Sequence, residues 1–394
     1  MPIDYQQIYT QIKTIGQGAR ERQKRKEERQ AQARELLSVY ASRLDELRNK
    51  VDSAKAVDAN IRCALPLNEP LDFAGPVPAS VKEATLIAAD GSQINPDRHA
   101  AVQFGLINVG AIIMKLNSGE APGISTESEL LFGDDLLPNG IPMSDGMVAL
   151  KRDLAERSAL DDLSQNVAEP IVTFTDGPIE LWGAQGEDAR SYFEFLEKYK
   201  TLLSRLQSRG VITAGYVDKP AADLVLRLLE IASADNEQLQ KIRDFHPLRG
   251  VSDRWLFGEK GNPLLPPGHR SAVFIIQSSA EKNYKGVLAL HFFYLNVGTE
   301  GHPWPVRVEV PKWVVDEPAS LDLLHAVLVE QCRMMGSKPY PYLLHRAHET
   351  AVVKMEEKQQ IEQMLSMELR RNNEETDEGS YKQSAKGLQG RTKR

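Results

Sequence analysis

"ATLIAADGSQIN", residues 84–95, decides how the rest of the chain is read. An apolar run ends in an acid, followed by Gly and Ser. A β-strand rises about 3.3 Å per residue and alternates faces, so a residue just past the buried run lies at the rim of a sheet. Gly after it lets the chain turn away sharply. Asp90 is therefore either the polar start of a turn, for which Asp-Gly is common chemistry, or a carboxylate held at a strand end to bind something. A second stretch with the same ending bears on that choice. "EPIVTFTDGP", residues 169–178, is another apolar run closing on an acid and a glycine. Two carboxylates at the ends of neighbouring strands, Asp90 and Asp176, can face one point, which is a normal way to hold a hard divalent cation. Ser92 and Thr175 fit as supports of the two turns.

Working outward, residues 100–116 and 127–132 read as two more strands after the first, with links short enough for antiparallel hairpins. A Gly/Pro-rich loop follows at 133–146, then a helix at 147–165 with Leu150, Leu154 and Leu160 facing a core. The strand ending at Asp176, a helix at 191–210 closed by Gly210, and a fifth strand at 211–220 complete the order: three strands, helix, strand, helix, strand. Residues 219–265 read as mainly helical, with a loop at 246–257. Three strands (271–279, 286–297, 305–314), a helix at 320–336 and a final helix at 341–365 follow. Before all this, residues 19–60 contain no Pro or Gly and read as one long helix, with Leu36, Leu37, Tyr40, Leu44 and Leu47 on one stripe. Its first part is polar all round and basic, which fits a solvated face or an arm against a second subunit or phosphates. The organisation expected is an N-terminal helical arm at 1–66, one mixed α/β domain at 80–366 and a polar, disordered tail at 367–394.

The bulk properties bound the function. The chain has 394 residues and a formal net charge of −7, so it does not coat nucleic acid by bulk charge, although a local basic groove remains open. Its two cysteines, Cys63 and Cys332, form no zinc pattern and fit a reduced, cytoplasmic setting. The N-terminus has no apolar signal core and no stretch of about 18 apolar residues occurs, so neither secretion nor membrane insertion is expected. "GQGAR" (16–20) lacks the Lys of a phosphate-binding loop, and no such loop occurs elsewhere, so ATP hydrolysis by that route is excluded.

A third acid is needed to hold two metal ions or shield one. The helix between the two Asp-Gly strands offers Asp153, Glu156, Asp161 and Asp162, and helical geometry alone does not choose among them. Late in the chain, "YPYLLHRAHETA" (340–351) sets His345 and His348 on one helix face behind a Pro-Tyr corner that fixes the helix entry. An imidazole held so rigidly is suited to ligate a metal; a lone His is more often a structural hydrogen bonder.

Taken in order, "AADGSQ", "TFTDGPIELWG", "AGYVDKP" and "PYPYLLHRAHETA" resemble the NurA nucleases, prokaryotic enzymes of DNA end resection that work with the ring ATPase HerA. The resemblance spans residues 80–360 and implies a ribonuclease H-like core. It places the family's metal-binding acids at Asp90, Glu156 and Asp176, its histidine at His348, its tyrosine at Tyr340 and its lysine at Lys219. Pro178, directly after the second Asp-Gly, departs from the family pattern. The resemblance also implies Mn²⁺, with Mg²⁺ as the alternative, a single-strand 5′–3′ exonuclease and endonuclease activity on DNA, a homodimer enclosing a DNA channel, and a HerA-like hexameric ATPase as partner. Two divalent ions about 3.5–4 Å apart would supply the charge neutralisation that phosphodiester hydrolysis needs. Lys219 would lie on a phosphate, and Tyr340 would stack on a base or serve as a packing residue at the helix entry. Two other functions compete: a non-catalytic adaptor of the ATPase, which would have no need of converging acids, and an RNA-cleaving phosphodiesterase on the same fold.

Overall fold

The computed structural model describes residues 3–79, 81, 83–183 and 189–372. In chain order the elements are helices α1 (Tyr5–Gln17), α2 (Ala19–Tyr40) and α3 (Leu44–Val57), then strands β1 (Cys63–Pro66), β2 (Thr85–Ile94), β3 (Gly105–Lys115) and β4 (Gly123–Leu131). Helix α4 (Asp145–Leu163), β5 (Ile171–Asp176), α5 (Ala189–Ser208) and β6 (Ile212–Val217) come next. Short helices α6 (Leu224–Ser233), α7 (Asn236–Gln240) and α8 (Asp253–Phe257) precede β7 (Phe274–Gln277), β8 (Leu290–Asn296) and β9 (Pro305–Pro311). The chain closes with α9 (Lys312–Val315), α10 (Pro318–Met334), α11 (Tyr342–Ala351) and α12 (Met355–Arg371).

Two compact units interleave along the sequence: Ala79–Tyr216 with Ala326–Arg394, and Met1–Pro78 with Val217–His325. In the first, the strands lie side by side as β6-β5-β2-β3-β4. β2, β3 and β4 are antiparallel, whereas β5 and β6 run parallel to β2. Three meandering strands followed by two parallel ones, with α4 and α5 as the crossovers, is the ribonuclease H-like arrangement expected from the sequence. The parallel strands are buried along nearly their whole length, as strands covered on both faces are, and Thr173, Thr175 and Thr213 are buried with them. The core of this unit gathers Ile87, Val109, Leu131, Val148, Leu160 and Val211. In the other unit β1, β7, β8 and β9 lie in that order, all antiparallel.

Several boundaries differ from the sequence expectation: residues 219–265, read as mainly helical with a loop at 246–257, hold only α6, α7 and α8, the last of them inside that loop. The helix expected over 19–60 is two helices, because Arg43 leaves the helical region (φ −87°, ψ 49°) and the Ala41 carbonyl accepts from Leu71 N–H at 2.8 Å instead of continuing the ladder. A straight helix of that length would extend about 60 Å; the corner lets Leu47, Val51 and Ala54 be buried. Residues 63–66, expected to belong to the helical arm, form β1 instead and pair with β7. The final helix breaks at Val352 (φ −56°, ψ 122°), and a new one begins after Lys354, whose N–H donates to the Glu357 carboxylate at 2.6 Å. That second helix runs to Arg371, past the expected tail boundary at 367; residues 373–394 lie outside the described residues. Lastly, β2 does not stop at Asp90 but continues to Ile94.

One buried acid in the unit containing β7–β9 gives a pH signature. Asp253, 1 % exposed, accepts hydrogen bonds from Val225 N–H and Leu226 N–H at 2.8 Å and from Tyr294 O–H at 2.7 Å, capping the start of α6 from across the fold. Burial and the nearby Asp223 carboxylate push it up to about 7, against the pull of those donors. A folded-state value above the ordinary one contributes stability that is complete at low pH and is lost as pH rises through about 7. Urea unfolding at several pH values should therefore show the wild type losing ground to Asp253→Asn by about 1.4 kcal/mol per unit between the two values, then no further. Parallel stability curves for the two proteins would contradict this.

Candidate active site

Asp90 sits in the middle of β2, directly opposite Gly110 of β3. On its other side the parallel partner β5 ends: the last pair is Ala89↔Thr175, and Asp176 is the final residue of β5. β2 thus outruns β5, and Asp90 and Asp176 stand at the same level on neighbouring strands where the ladder between them stops. The two Asp-Gly pairs do different things. Gly177 has φ +90° and turns the chain, its N–H donating to the Tyr216 carbonyl at 2.8 Å. Gly91 is not a turn residue. It pairs with Val109, and a Cβ there would lie 2.6 Å from Arg152 Cγ and 2.7 Å from Glu156 Oε1. The sequence expectation of a turn after Asp90 is thereby corrected: the glycine is required by the close approach of α4.

Alternation along β2 separates the site into two faces. Asp90 shares its face with Gly110, against which α11 packs so closely that a Cβ would lie 2.6 Å from the Ala347 carbonyl and from Ala351 N. On that face His348 Nδ1 meets Asp90 Oδ2 at 2.7 Å, with the carboxylate 14 % and the imidazole 62 % exposed. The ring nitrogen left for a substrate is therefore Nε2. His345 is turned to Glu349, at 3.4 Å, rather than to Asp90. Tyr340 packs its ring edge-on to Tyr216 of β6, centroids 5.5 Å apart, and Tyr216 is the register partner of Asp176.

Gly91 faces the opposite way, toward α4, and here Glu156 arrives. It is buried, with Arg152 Nε 3.4 Å from its Oε1. Burial pushes the Glu156 carboxyl well above its ordinary range; Asp153 and Asp90 add to this, while Arg152 and Arg157 oppose it. Arg152 also holds Asp153 at 2.7 Å, and burial raises Asp153 too. Of the acids on α4, Glu156 is thus the one at Gly91 with Asp153 beside it; Asp161 is bound to Arg209, and Asp162 lies in the last turn of the helix. Under the same face lies a residue that sequence reasoning passed over. Arg157, 1 % exposed, donates to Thr213 Oγ1 at 3.0 Å and to Thr175 Oγ1 and Tyr199 Oη at 3.1 Å. A buried guanidinium on three hydroxyls, one residue before Asp176, stiffens the strand end that carries that acid. Thr175 is therefore a ligand of Arg157 rather than merely a turn support.

Lys219 belongs to the other unit. Its ammonium lies 5.6 Å from the centre of the Trp304 ring, which Arg254 covers at 4.5 Å and whose Nε1–H donates to Asp218 at 2.8 Å.

The NurA domain family matches residues 84–353. The chain belongs to the NurA family of nucleases. The matched span takes in Asp90, Glu156, Asp176, Lys219, Tyr340 and His348 and ends between α11 and α12. Among solved structures the chain is similar to the NurA nuclease from Sulfolobus solfataricus, at 13% identity and a TM-score of 0.47, over 76% of this chain and 88% of that one. It is also similar to the catalytic domain of human endonuclease V (13% identity, TM-score 0.33, 82% and 98% covered) and to LC9-RNase H1 (9%, 0.23, 36% and 66%). No curated protein matches the sequence.

The residues gathered at this candidate site include carboxylates and an imidazole, groups of the kind that hold metal ions. Among the described residues, no three His, Cys, Asp or Glu side chains are arranged to hold a metal ion. Strand alternation gives the reason: Asp90 and His348 are on the α11 face, whereas Glu156 is on the α4 face and turned to Arg152. The donors nevertheless fit a hard divalent cation in kind, since they are carboxylate oxygens with one imidazole. The crowding that raises Glu156 is also relieved by a positive charge, a part that Arg152 plays here.

Proposed function

We propose that this chain is a metal-dependent deoxyribonuclease that cuts single strands as a 5′–3′ exonuclease and an endonuclease. The observation that carries the reading is that, where β2 outruns β5, Asp90 holds His348 on one face of the sheet while the missing side chain of Gly91 admits Glu156 on the other. Asp90, Asp176 and Glu156, with His348, are the residues that would hold the ions. When bound, Mn²⁺ or Mg²⁺ neutralises the phosphoryl oxygens and makes water a nucleophile near neutral pH. Asp90 fixes the imidazole by accepting from Nδ1–H, which leaves the Nε2 lone pair to receive a proton or to act as a donor atom. Lys219 would contact the DNA phosphates, its charge carried on the indole of Trp304. Tyr340 would meet the strand at the entry to α11. With no phosphate-binding loop of its own, the chain takes translocation from a HerA-like hexameric ATPase, to which it binds as a homodimer. Two free, buried cysteines suit a reducing, cytoplasmic setting, and among the described residues no helix is long and apolar enough to cross a membrane.

The test is cleavage of end-labelled single-stranded DNA and RNA by the purified protein, alone and with the ATPase, in Mn²⁺, Mg²⁺ or EDTA. Cleavage of DNA with metal and none in EDTA is expected. Activity in EDTA, or a preference for RNA, would overturn the reading; inactivity under every condition would favour the adaptor.

A further inference from the structure

A polar row that the proposed mechanism does not use crosses the sheet beside the candidate site. Ser92 of β2, Asn108 of β3 and Ser128 of β4 are direct register partners. Asn108 is 8 % exposed within an otherwise apolar strand, where an amide is costly unless it is bonded. Its bonds are specific. Nδ2–H donates to the Ala351 carbonyl at 2.7 Å, and Oδ1 accepts from Ser128 Oγ–H at 2.6 Å, which sets the amide's orientation. Ser92 Oγ–H donates to the same Ala351 carbonyl at 2.5 Å. Ala351 is the last residue of α11, where a helix leaves carbonyls without partners of its own.

The row lies two residues along each strand from the Asp90–Gly110 pair, on the same face, a displacement of about 6.8 Å. His348 lies three residues before Ala351, about 4.5 Å back along the helix. Gly110, the partner of Asp90 in the first row, removes the side chain that would hold α11 off the sheet. Three adjacent strands thus pin the end of α11 one turn from the imidazole, and the position of His348 over Asp90 follows from where Ala351 is held. A helix end facing solvent could satisfy that carbonyl with water; two side-chain donors from separate strands do more than satisfy it, since they fix it in register with β2.

We infer that Asn108, with Ser92 and oriented by Ser128, is a positioning residue that sets His348 on Asp90 by anchoring the C-terminus of α11. The inference rests on the nuclease reading for its activity measurement, so the experiment has a second readout that does not.

In the metal-dependent cleavage assay Asn108→Ala should lower kcat about 10- to 100-fold, as loss of a residue that orients a site group does, with KM for DNA within about twofold of wild type. In the His348→Ala background it should cause no further loss, because both changes remove the same interaction. In protein labelled with ¹⁵N-histidine, the ring-nitrogen signals of His348, assigned by their disappearance in His348→Ala, should move in Asn108→Ala while the other histidines keep theirs. Ser92→Ala and Ser128→Ala should give the same pattern more weakly, and they carry the test if Asn108→Ala fails to fold. Additive losses in the double variant, or unmoved His348 signals in every variant, would overturn the inference. Failure of the wild type to cleave would sink the nuclease reading alone, since the histidine signals still report whether the row anchors the imidazole.

Discussion

Asp90→Asn is expected to lower metal-dependent cleavage by roughly a thousandfold or more while the protein stays folded, with an unchanged or higher melting temperature. A thousandfold corresponds to about 4 kcal/mol of barrier. Asp90 is asked to supply that much because it binds His348 directly and its charge is also felt by Glu156 across the strand. Asparagine keeps the shape and one oxygen but loses the negative charge that a divalent ion needs. Stability moves the other way. Removing the charge takes away one of the two carboxylates that crowd Glu156, and the hydrogen bond weakened is one to a largely exposed ring, where such bonds contribute little. Single-turnover cleavage and thermal unfolding on the same preparation check both halves. Activity within tenfold of wild type, or a variant that unfolds, would show that Asp90 serves the fold rather than the chemistry.

The largest effect expected on stability is at Arg157. Arg157→Ala should cost about 3–5 kcal/mol in urea unfolding, because it leaves Thr175, Thr213 and Tyr199 without their shared donor inside the core and opens a hole where a long side chain was packed. Arg157→Met, which fills much of the space but donates nothing, should cost less than Ala. The difference between the two separates packing from hydrogen bonding. A loss below about 1 kcal/mol for Ala would mean that the hydroxyls find other partners and that the strand end beside Asp176 does not depend on this guanidinium.

What could be read from the sequence follows from which forces set each feature. The strand order was legible because β5 and β6 are short runs rich in β-branched and apolar residues, preceded by the helices α4 and α5, and that pattern depends on local composition. The corner between α2 and α3 was not, since nothing in "YASRL" breaks a helix; Leu71, far along the chain, takes the Ala41 carbonyl. The split between α11 and α12 was hidden for the same reason, as Ser92 and Asn108 hold the carbonyl at which α11 ends. Both Asp-Gly pairs drew attention, yet they read alike and differ in structure, because only the partner helix tells a glycine that turns from one that makes room. Glu156 could not be separated from Asp153 by helical spacing, and the fold distinguishes them by which one reaches Gly91. Arg157 was invisible, one cation in a helix rich in charge. Two signals were present but unread: a glycine inside the apolar strand "NVGAII", which marks a close backbone approach, and Asn108 two residues before it.

The unequal lengths of β2 and β5 also bear on how such a site could be lost or rebuilt. Because the β2–β5 ladder ends at Ala89 and Thr175, lengthening β5 by a pair of residues in register would carry the pairing past Asp90 while leaving every acid in place. A chain altered in that way would retain all the residues by which its kind is recognised and have nowhere for a phosphate to enter. Inventories of acidic side chains would score it as intact; only the end point of a backbone ladder would tell it apart.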